Sequence, residues 1–152
     1  MPVSGAEFGL YAAEDIVNVD GKVIVEKDTL LEVAVSDANG DIQFVKDYPL
    51  GHYYAKEIKA PAGYVSCDDV IEFDAEYQGQ EVKYATIIAT FHNMPTTFEF
   101  TKEDITSGAE LSGATLTVLD KDGNVVDTWT SKAGEAHVIK KLVVGESYVL
   151  RE

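Results

Sequence analysis

Four polar side chains stand on strand-like stretches whose other same-face positions are apolar. Lys102 keeps step with Phe98 and Phe100, and Asn93 with Ile87, Ala89 and Phe91. Glu57 follows Tyr53 and Ala55 at a period of two, and Glu152 follows Tyr148 and Leu150 in the same way. In a strand, side chains two residues apart share a face. If those faces are core, burial disfavours the charged form of the amine and of the carboxyls. A neutral amine, an amide carbonyl and a protonated carboxyl are the reactants of an amide-forming step. The amine nitrogen attacks the Asn side-chain carbon, the acid polarises the carbonyl and relays protons, and ammonia leaves. The same positions also have a plain structural reading. Lys102 then reaches water from a strand end, Glu57 and Glu152 close strands, and Asn93 opens a turn. Periodicity alone leaves both readings open.

The elements that must position these residues are strands. Phe98 to Glu103, Ile87 to Asn93 and Thr115 to Leu119 alternate with period two, and β-branched and aromatic residues suit a pleated, half-buried surface. Turn signals punctuate the chain at Val19-Asp20-Gly21, Ala38-Asn39-Gly40, Gln78-Gly79-Gln80, Asp122-Gly123-Asn124 and Lys132-Ala133-Gly134. The best helix candidate is one short turn near Ala12 to Ile16. This pattern predicts an all-β protein with two antiparallel sheets per domain. An internal repeat is also visible. Gly5-Ala6-Glu7-Phe8-Gly9-Leu10-Tyr11 corresponds to Gly113-Ala114-Thr115-Leu116-Thr117-Val118-Leu119, and Ser36 to Glu57 corresponds to Ser131 to Glu152. Proline interrupts strand pairing, so the boundary is expected near Met94-Pro95-Thr96. That divides the chain into 1–95, lacking a first strand ahead of its Gly-Ala element, and 96–152, ending at its Glu.

Composition bounds the function classes. The 152 residues are 45% hydrophobic and 26% charged, enough to build a core. The net charge of −15 repels phosphate, which disfavours nucleic acid and anionic membranes as partners. No apolar run reaches 18 residues, so no membrane insertion is expected in this segment. Met1 to Ser4 runs directly into the Gly-Ala element with no leader pattern. A single cysteine, Cys67, leaves no internal disulfide and no Cys-based zinc site. It reads as a semi-buried thiol. No metal and no cofactor are expected. Asp37 to Asp41 and Asp120 to Asn124 resemble calcium loops, but their Gly and Glu spacing is wrong and they read as hairpin turns. Asp68-Asp69 reads as a solvated turn, and His52, His92 and His137 as dispersed, exposed residues. Trp129 reads as a packing residue. No phosphate loop or serine elbow is present.

Three segments carry a family resemblance. They are Gly5 to Tyr11, then Gly51-His52-Tyr53-Tyr54-Ala55-Lys56-Glu57-Ile58-Lys59-Ala60-Pro61-Ala62-Gly63-Tyr64, then Phe91-His92-Asn93-Met94-Pro95. Together they resemble the collagen-adhesin B-type or SpaA-like (prealbumin-like) modules of Gram-positive surface adhesins and pilins. Thr101-Lys102-Glu103-Asp104-Ile105-Thr106-Ser107-Gly108 with Leu111-Ser112-Gly113-Ala114 resembles the opening of a second module. The resemblance implies an Ig-like, prealbumin-like Greek-key β-sandwich, one module nearly complete and a second partial. It also implies an intramolecular isopeptide bond between a first-strand Lys and a last-strand Asn, assisted by a Glu. Glu57 matches the assisting acid and Asn93 the acceptor of the first module. Lys102 matches the lysine of the second and Glu152 its acid. The first module has no lysine ahead of its Gly-Ala element, since Lys22 follows it, and the second has no acceptor Asn.

The function this implies is structural: a stalk or pilus-like repeat, extracellular and wall-anchored, with adjacent repeats as partners. Its signal peptide and anchor would lie outside this segment. The only enzymatic activity it implies is self-directed, single-turnover bond formation. The alternative is a ligand-binding adhesin module gripping a host protein or glycan, with Tyr77, Tyr84 and Trp129 as testable aromatics.

Overall fold

The computed structural model describes residues 1–77, 89–103 and 106–152. The strands in chain order are β1 (Glu7–Ala12), β2 (Ile16–Val17), β3 (Val23–Val25), β4 (Leu30–Val35), β5 (Gly51–Lys59), β6 (Tyr64–Val65) and β7 (Val70–Ala75). They continue with β8 (Met94–Pro95), β9 (Thr97–Phe100), β10 (Thr115–Leu119), β11 (Val125–Thr130), β12 (His137–Lys140) and β13 (Val149–Arg151). Among the described residues there is no helix, so none long and apolar enough to cross a membrane. The all-β expectation holds. The turn foreseen near Ala12 to Ile16 is not helical. Ala12 and Ala13 donate their N–H groups to Thr29 O (3.3 Å) and His52 O (2.9 Å), which keeps them in the strand ladder. Asp15 accepts the Lys27 N–H at 2.7 Å, and β2 follows at once.

Two compact units emerge. The first is Met1–Pro61 with Val65–Met94, and the second is Ala62–Tyr64 with Pro95–Glu152. Ala62–Tyr64 joins the second unit for a local reason. Gly63 O accepts the Thr96 N–H at 2.9 Å, and the buried Thr96 hydroxyl donates to Leu142 O at 2.6 Å. Gly63 itself takes φ +81°, and a Cβ there would lie 2.6 Å from the Lys141 carbonyl oxygen. Only glycine fits that position.

In the first unit, four antiparallel strands form one sheet in the order β4-β1-β5-β7. The strands β4 and β5 flank β1, so residues 36–50 must cross from one side of it to the other. That crossing brings Phe44 and Tyr48 against the core of Leu10, Ala12, Ile16 and Tyr53. The period-two pattern of β5 is realised in its burial. Tyr53, Ala55 and Glu57 are buried, and Ile58 and Lys59 are exposed. Residues 89–93 form no strand, contrary to the alternation expected of Ile87 to Asn93. Ile87, Ile88, Tyr84, the Gln78-Gly79-Gln80 turn, Asp104 and Ile105 lie outside the described residues.

The second unit has a β11-β10-β13 sheet and a β12-β9 ribbon. Its core is Val118, Ile139 and Leu142, with Phe100, Trp129 and Tyr148 packed against it. Both turns that resemble calcium loops are side-chain-capped, but only 120–124 joins paired strands as a hairpin, since 37–41 lies on the crossing from β4 to β5. Asp37 Oδ1 accepts the N–H groups of Asn39 and Asp41, and Asp120 Oδ1 those of Asp122 and Asn124.

The internal repeat holds down to its hydrogen bonds. Gly5 N–H donates to Ser36 O (3.0 Å), Ser36 N–H to Ala6 O (2.8 Å), and Ala6 N–H to the Ser36 hydroxyl (3.0 Å). Gly113, Ala114 and Ser131 repeat the three bonds at 2.8, 2.7 and 3.0 Å. Register repeats too. Gly9, Leu10 and Tyr11 face Lys56, Ala55 and Tyr54, while Thr117, Val118 and Leu119 face Arg151, Leu150 and Val149. The strands β1, β4 and β5 therefore correspond to β10, β11 and β13.

Candidate functional site

Glu57 stands on the inner face of β5 because that strand buries every second residue from Tyr53. Its register partner on β1 is Phe8, 3% exposed, whose ring lies 4.6 Å from that of Phe91. Two residues on, Asn93 aims its amide at the carboxylate. Asn93 Nδ2 donates to Glu57 Oε1 at 2.8 Å and to Oε2 at 3.0 Å, with a longer bond to Val65 O at 3.3 Å. The Cys67 N–H donates to Glu57 Oε2 at 2.6 Å. A carboxylate 8% exposed is thus held by an amide and a backbone N–H beside two phenylalanines. This is how a buried acid avoids being left unsatisfied. Chemically, an acid and an Asn side-chain amide are in contact at an apolar wall. No lysine among the described residues hydrogen-bonds either group.

The second unit holds a different pair. Lys102 Nζ is 2.5 Å from Glu152 Oε2. Their surroundings differ from the apolar face expected of them. The strand β9 stops at Phe100, two residues before Lys102, and Phe98 is 41% exposed. Leu150 is 49% exposed and the Glu152 side chain 57%. Period two placed Lys102 and Glu152 on core faces. The Lys102 side chain is half-buried, at 29% exposed, so the two form a partly exposed ion pair rather than a buried one. Glu57 and Glu152 occupy matching places in the repeat, each one residue beyond the residue that faces Gly9 or Thr117, namely Lys56 and Arg151.

The remaining candidates carry no such chemistry. Asp68 and Asp69 are exposed, and Cys67 is a half-buried free thiol. His92 is exposed as expected, but His52 and His137 are not free. His52 bridges Asp74 and Glu72, and His137 Nε2 lies 2.7 Å from Asp127 Oδ2 while its ring stacks on Trp129 at 4.2 Å. Sequence reasoning missed both because the partner carboxylates sit on other strands. Trp129 is half-buried between His137 and Phe100, the packing role expected of it. Tyr77 is 69% exposed. Among the described residues no group of three His, Cys, Asp or Glu is arranged to hold a metal ion.

A further buried acid was not foreseen. Glu32 on β4 accepts the Val45 N–H (2.9 Å), the Lys46 N–H (3.3 Å) and the Tyr48 hydroxyl (2.5 Å). It ties down the crossing segment of the first unit. Burial works against its charge, but the Tyr48 hydroxyl and the two amides prevail and hold its pKa below the ordinary 4.5. Its only sequence signal is a Glu on the inward phase of an apolar strand.

Comparisons with known proteins follow the same outline. No curated protein matches the chain. Among solved structures, it is similar to the Bacillus anthracis TIE protein at 25% identity and a TM-score of 0.51, covering 99% of this chain and 26% of that one. The chain thus spans about a quarter of that protein's length. It is also similar to the shaft pilin SpaA of Lactobacillus rhamnosus GG, at 13% identity and a TM-score of 0.42, covering 97% of this chain and 72% of that one. BcpA, the major pilin subunit of Bacillus cereus, matches at 14% identity and a TM-score of 0.33, covering 97% of this chain and 83% of that one. The family described as "SpaA: Prealbumin-like fold domain" matches residues 1–87 and again 96–152, one stretch for each copy of the repeat. With both stretches matched and the all-strand fold in place, the chain belongs to the SpaA prealbumin-like fold domain family.

Proposed function

We propose that the chain is a structural segment of an extracellular, wall-anchored stalk or pilus-like adhesin, built from two consecutive repeats. In this reading, residues 1–95 are a module awaiting its lysine-bearing first strand, and 96–152 a module awaiting its Asn-bearing last strand. The observation that carries it is the contact of Asn93 with both oxygens of the buried Glu57. Glu57 is the assisting acid and Asn93 the acceptor. Lys102 and Glu152 are the amine and acid of the second module. Lys102 already has an acid of its own, which favours each repeat receiving its missing strand over Lys102 leaving for Asn93. Adjacent repeats are therefore the natural partners. The bond forms when the lysine Nζ attacks Asn93 Cγ and ammonia leaves. A link from a strand ahead of Gly5 to Asn93 closes a loop of roughly 100 residues, for which chain entropy gives about 4.7 kcal/mol by analogy with a disulfide. It also blocks full extension under pull, which suits a load-bearing stalk.

The test is intact mass. The chain as it stands is expected to show its unmodified mass. Fusing a lysine-bearing strand to its N-terminus through a short flexible linker supplies that strand at an effective concentration of about millimolar. The fusion is expected to lose one ammonia, about 17 Da by the chemistry of amide formation, and to keep its mass when Asn93 is replaced by Ala. Natively folded fusions of unshifted mass, with Lys at each inward position tried, would overturn the crosslink reading.

A further inference from the structure

The outer face of the first unit's sheet carries a titratable cluster outside the crosslink site. His52, the second residue of β5, pairs in register with Asp74 of β7, and Tyr54 pairs with Glu72. Glu72 and Asp74 are two apart and share a face. The imidazole lies between them, with Nδ1 2.7 Å from Asp74 Oδ1 and Nε2 3.0 Å from Glu72 Oε2. A carboxylate can only accept, and a neutral imidazole has one N–H to give. Both contacts are hydrogen bonds only when the ring is an imidazolium. On the other side of β5, the Ala13 N–H donates to the His52 carbonyl oxygen at 2.9 Å. The charged groups acting on the ring are Glu72 and Asp74, both on β7.

We propose that His52 is a proton-operated clasp for β7, closed when the imidazolium bridges Asp74 and Glu72 and half-released when the ring gives up its proton. Among the described residues β7 has a ladder partner on one side only, β5, and its inward residues Phe73 and Ala75 pack against the core. An edge strand with one partner is a place where a sheet opens first. The hydrogen bonds to Glu72 and Asp74 raise the pKa of His52 above its ordinary 6.5, outweighing a small desolvation effect. The sign follows from that direction. The stabilisation is complete below the unfolded-state pKa and is lost as pH rises through the folded-state pKa.

The experiment is a pH titration of the whole chain, pH 5 to 10, by long-range nitrogen–proton NMR of the histidine rings, with amide exchange of Val70–Ala75 measured alongside. Two protonated ring nitrogens on His52 at neutral pH are expected, with a midpoint above that of histidine in the urea-unfolded chain. Glu72→Gln and Asp74→Asn should each lower the midpoint. Protection of the β7 amides, corrected for intrinsic rate, should fall across that midpoint in the native chain and stay flat in His52→Gln. A midpoint at or below the unfolded value would overturn the clasp, and so would β7 protection that ignores the titration. Both readouts come from the unsubstituted protein, so a poorly folding variant leaves the test intact.

Discussion

Replacing Ser36 by Ala should cost the first unit more than replacing Ser131 by Ala costs the second, although the two serines hold the same place in the repeat. The Ser36 hydroxyl accepts the Ala6 N–H at 3.0 Å and donates to Val3 O at 2.9 Å, in a residue 5% exposed. Ala6 is itself only 2% exposed, so its N–H has no route to water once the hydroxyl is gone. A buried donor left unsatisfied costs about 1–3 kcal/mol, and the second bond contributes roughly another 0.5–1.5. The sum for Ser36→Ala is about 3 kcal/mol. Ser131 is as buried, at 6% exposed, but among the described residues its hydroxyl takes part in only one bond, from the Ala114 N–H at 3.0 Å, and Ala114 is half-exposed, so water can reach that N–H once the hydroxyl is gone. Its loss is set at about 1 kcal/mol. Urea unfolding followed by amide exchange reads the two units separately, and the fluorescence of Trp129, the sole tryptophan, reports on the second. Opening of the first unit should rise by two orders of magnitude in Ser36→Ala and be rescued by Ser36→Thr, which keeps the oxygen. Equal losses in both units, or no rescue by Thr, would refute the reasoning from hydroxyl geometry and burial.

Three further outcomes are expected. Because Glu32 is held below its ordinary 4.5, its stabilisation is present above that value and lost as pH falls through the folded-state pKa. Exchange across residues 42–48 should accelerate in the native chain as pH falls below the ordinary carboxylate value of 4.5, while Glu32→Gln should be looser at neutral pH and insensitive to acid. Gly63→Ala should destabilise the second unit by at least about 1–2 kcal/mol, from the left-handed backbone alone, as read by the Trp129 unfolding midpoint. Tyr53→Phe removes a hydroxyl that donates to Pro49 O at 2.5 Å from a residue 1% exposed. Thermal unfolding should register a loss of about 1 kcal/mol.

Much of this was legible from period and repeat. The alternation of β5 put Tyr53, Ala55 and Glu57 on one face, and burial follows it. The Gly-Ala and Ser correspondences between the two halves became matching hydrogen bonds. What stayed hidden shares a cause: it depends on residues far apart in sequence. Alternation placed Asn93 on a strand, whereas its position comes from Glu57, 36 residues earlier. Lys102 and Glu152 looked buried because their neighbours are apolar. Burial requires something on the other side, and at the end of β13 Leu150 and the Glu152 side chain stay exposed. Glu32 was not singled out and His52 was read as exposed, since the partners that give them meaning come from a crossing segment and from β7.

The passage from β1 to β4 takes residues 13–29 and carries the β2-β3 ribbon, while the matching passage from β10 to β11 takes only 120–124. The strands on either side nonetheless keep the same register. Lengthening a flexible connection from five residues to 17 costs only about 1 kcal/mol in closure entropy, because the penalty grows with the logarithm of length. That corner of the module is therefore a natural graft point. A foreign epitope of a dozen residues set between Asp120 and Asn124 would be displayed at the end of a hairpin, and the serine latch and the strands behind it would have no reason to notice.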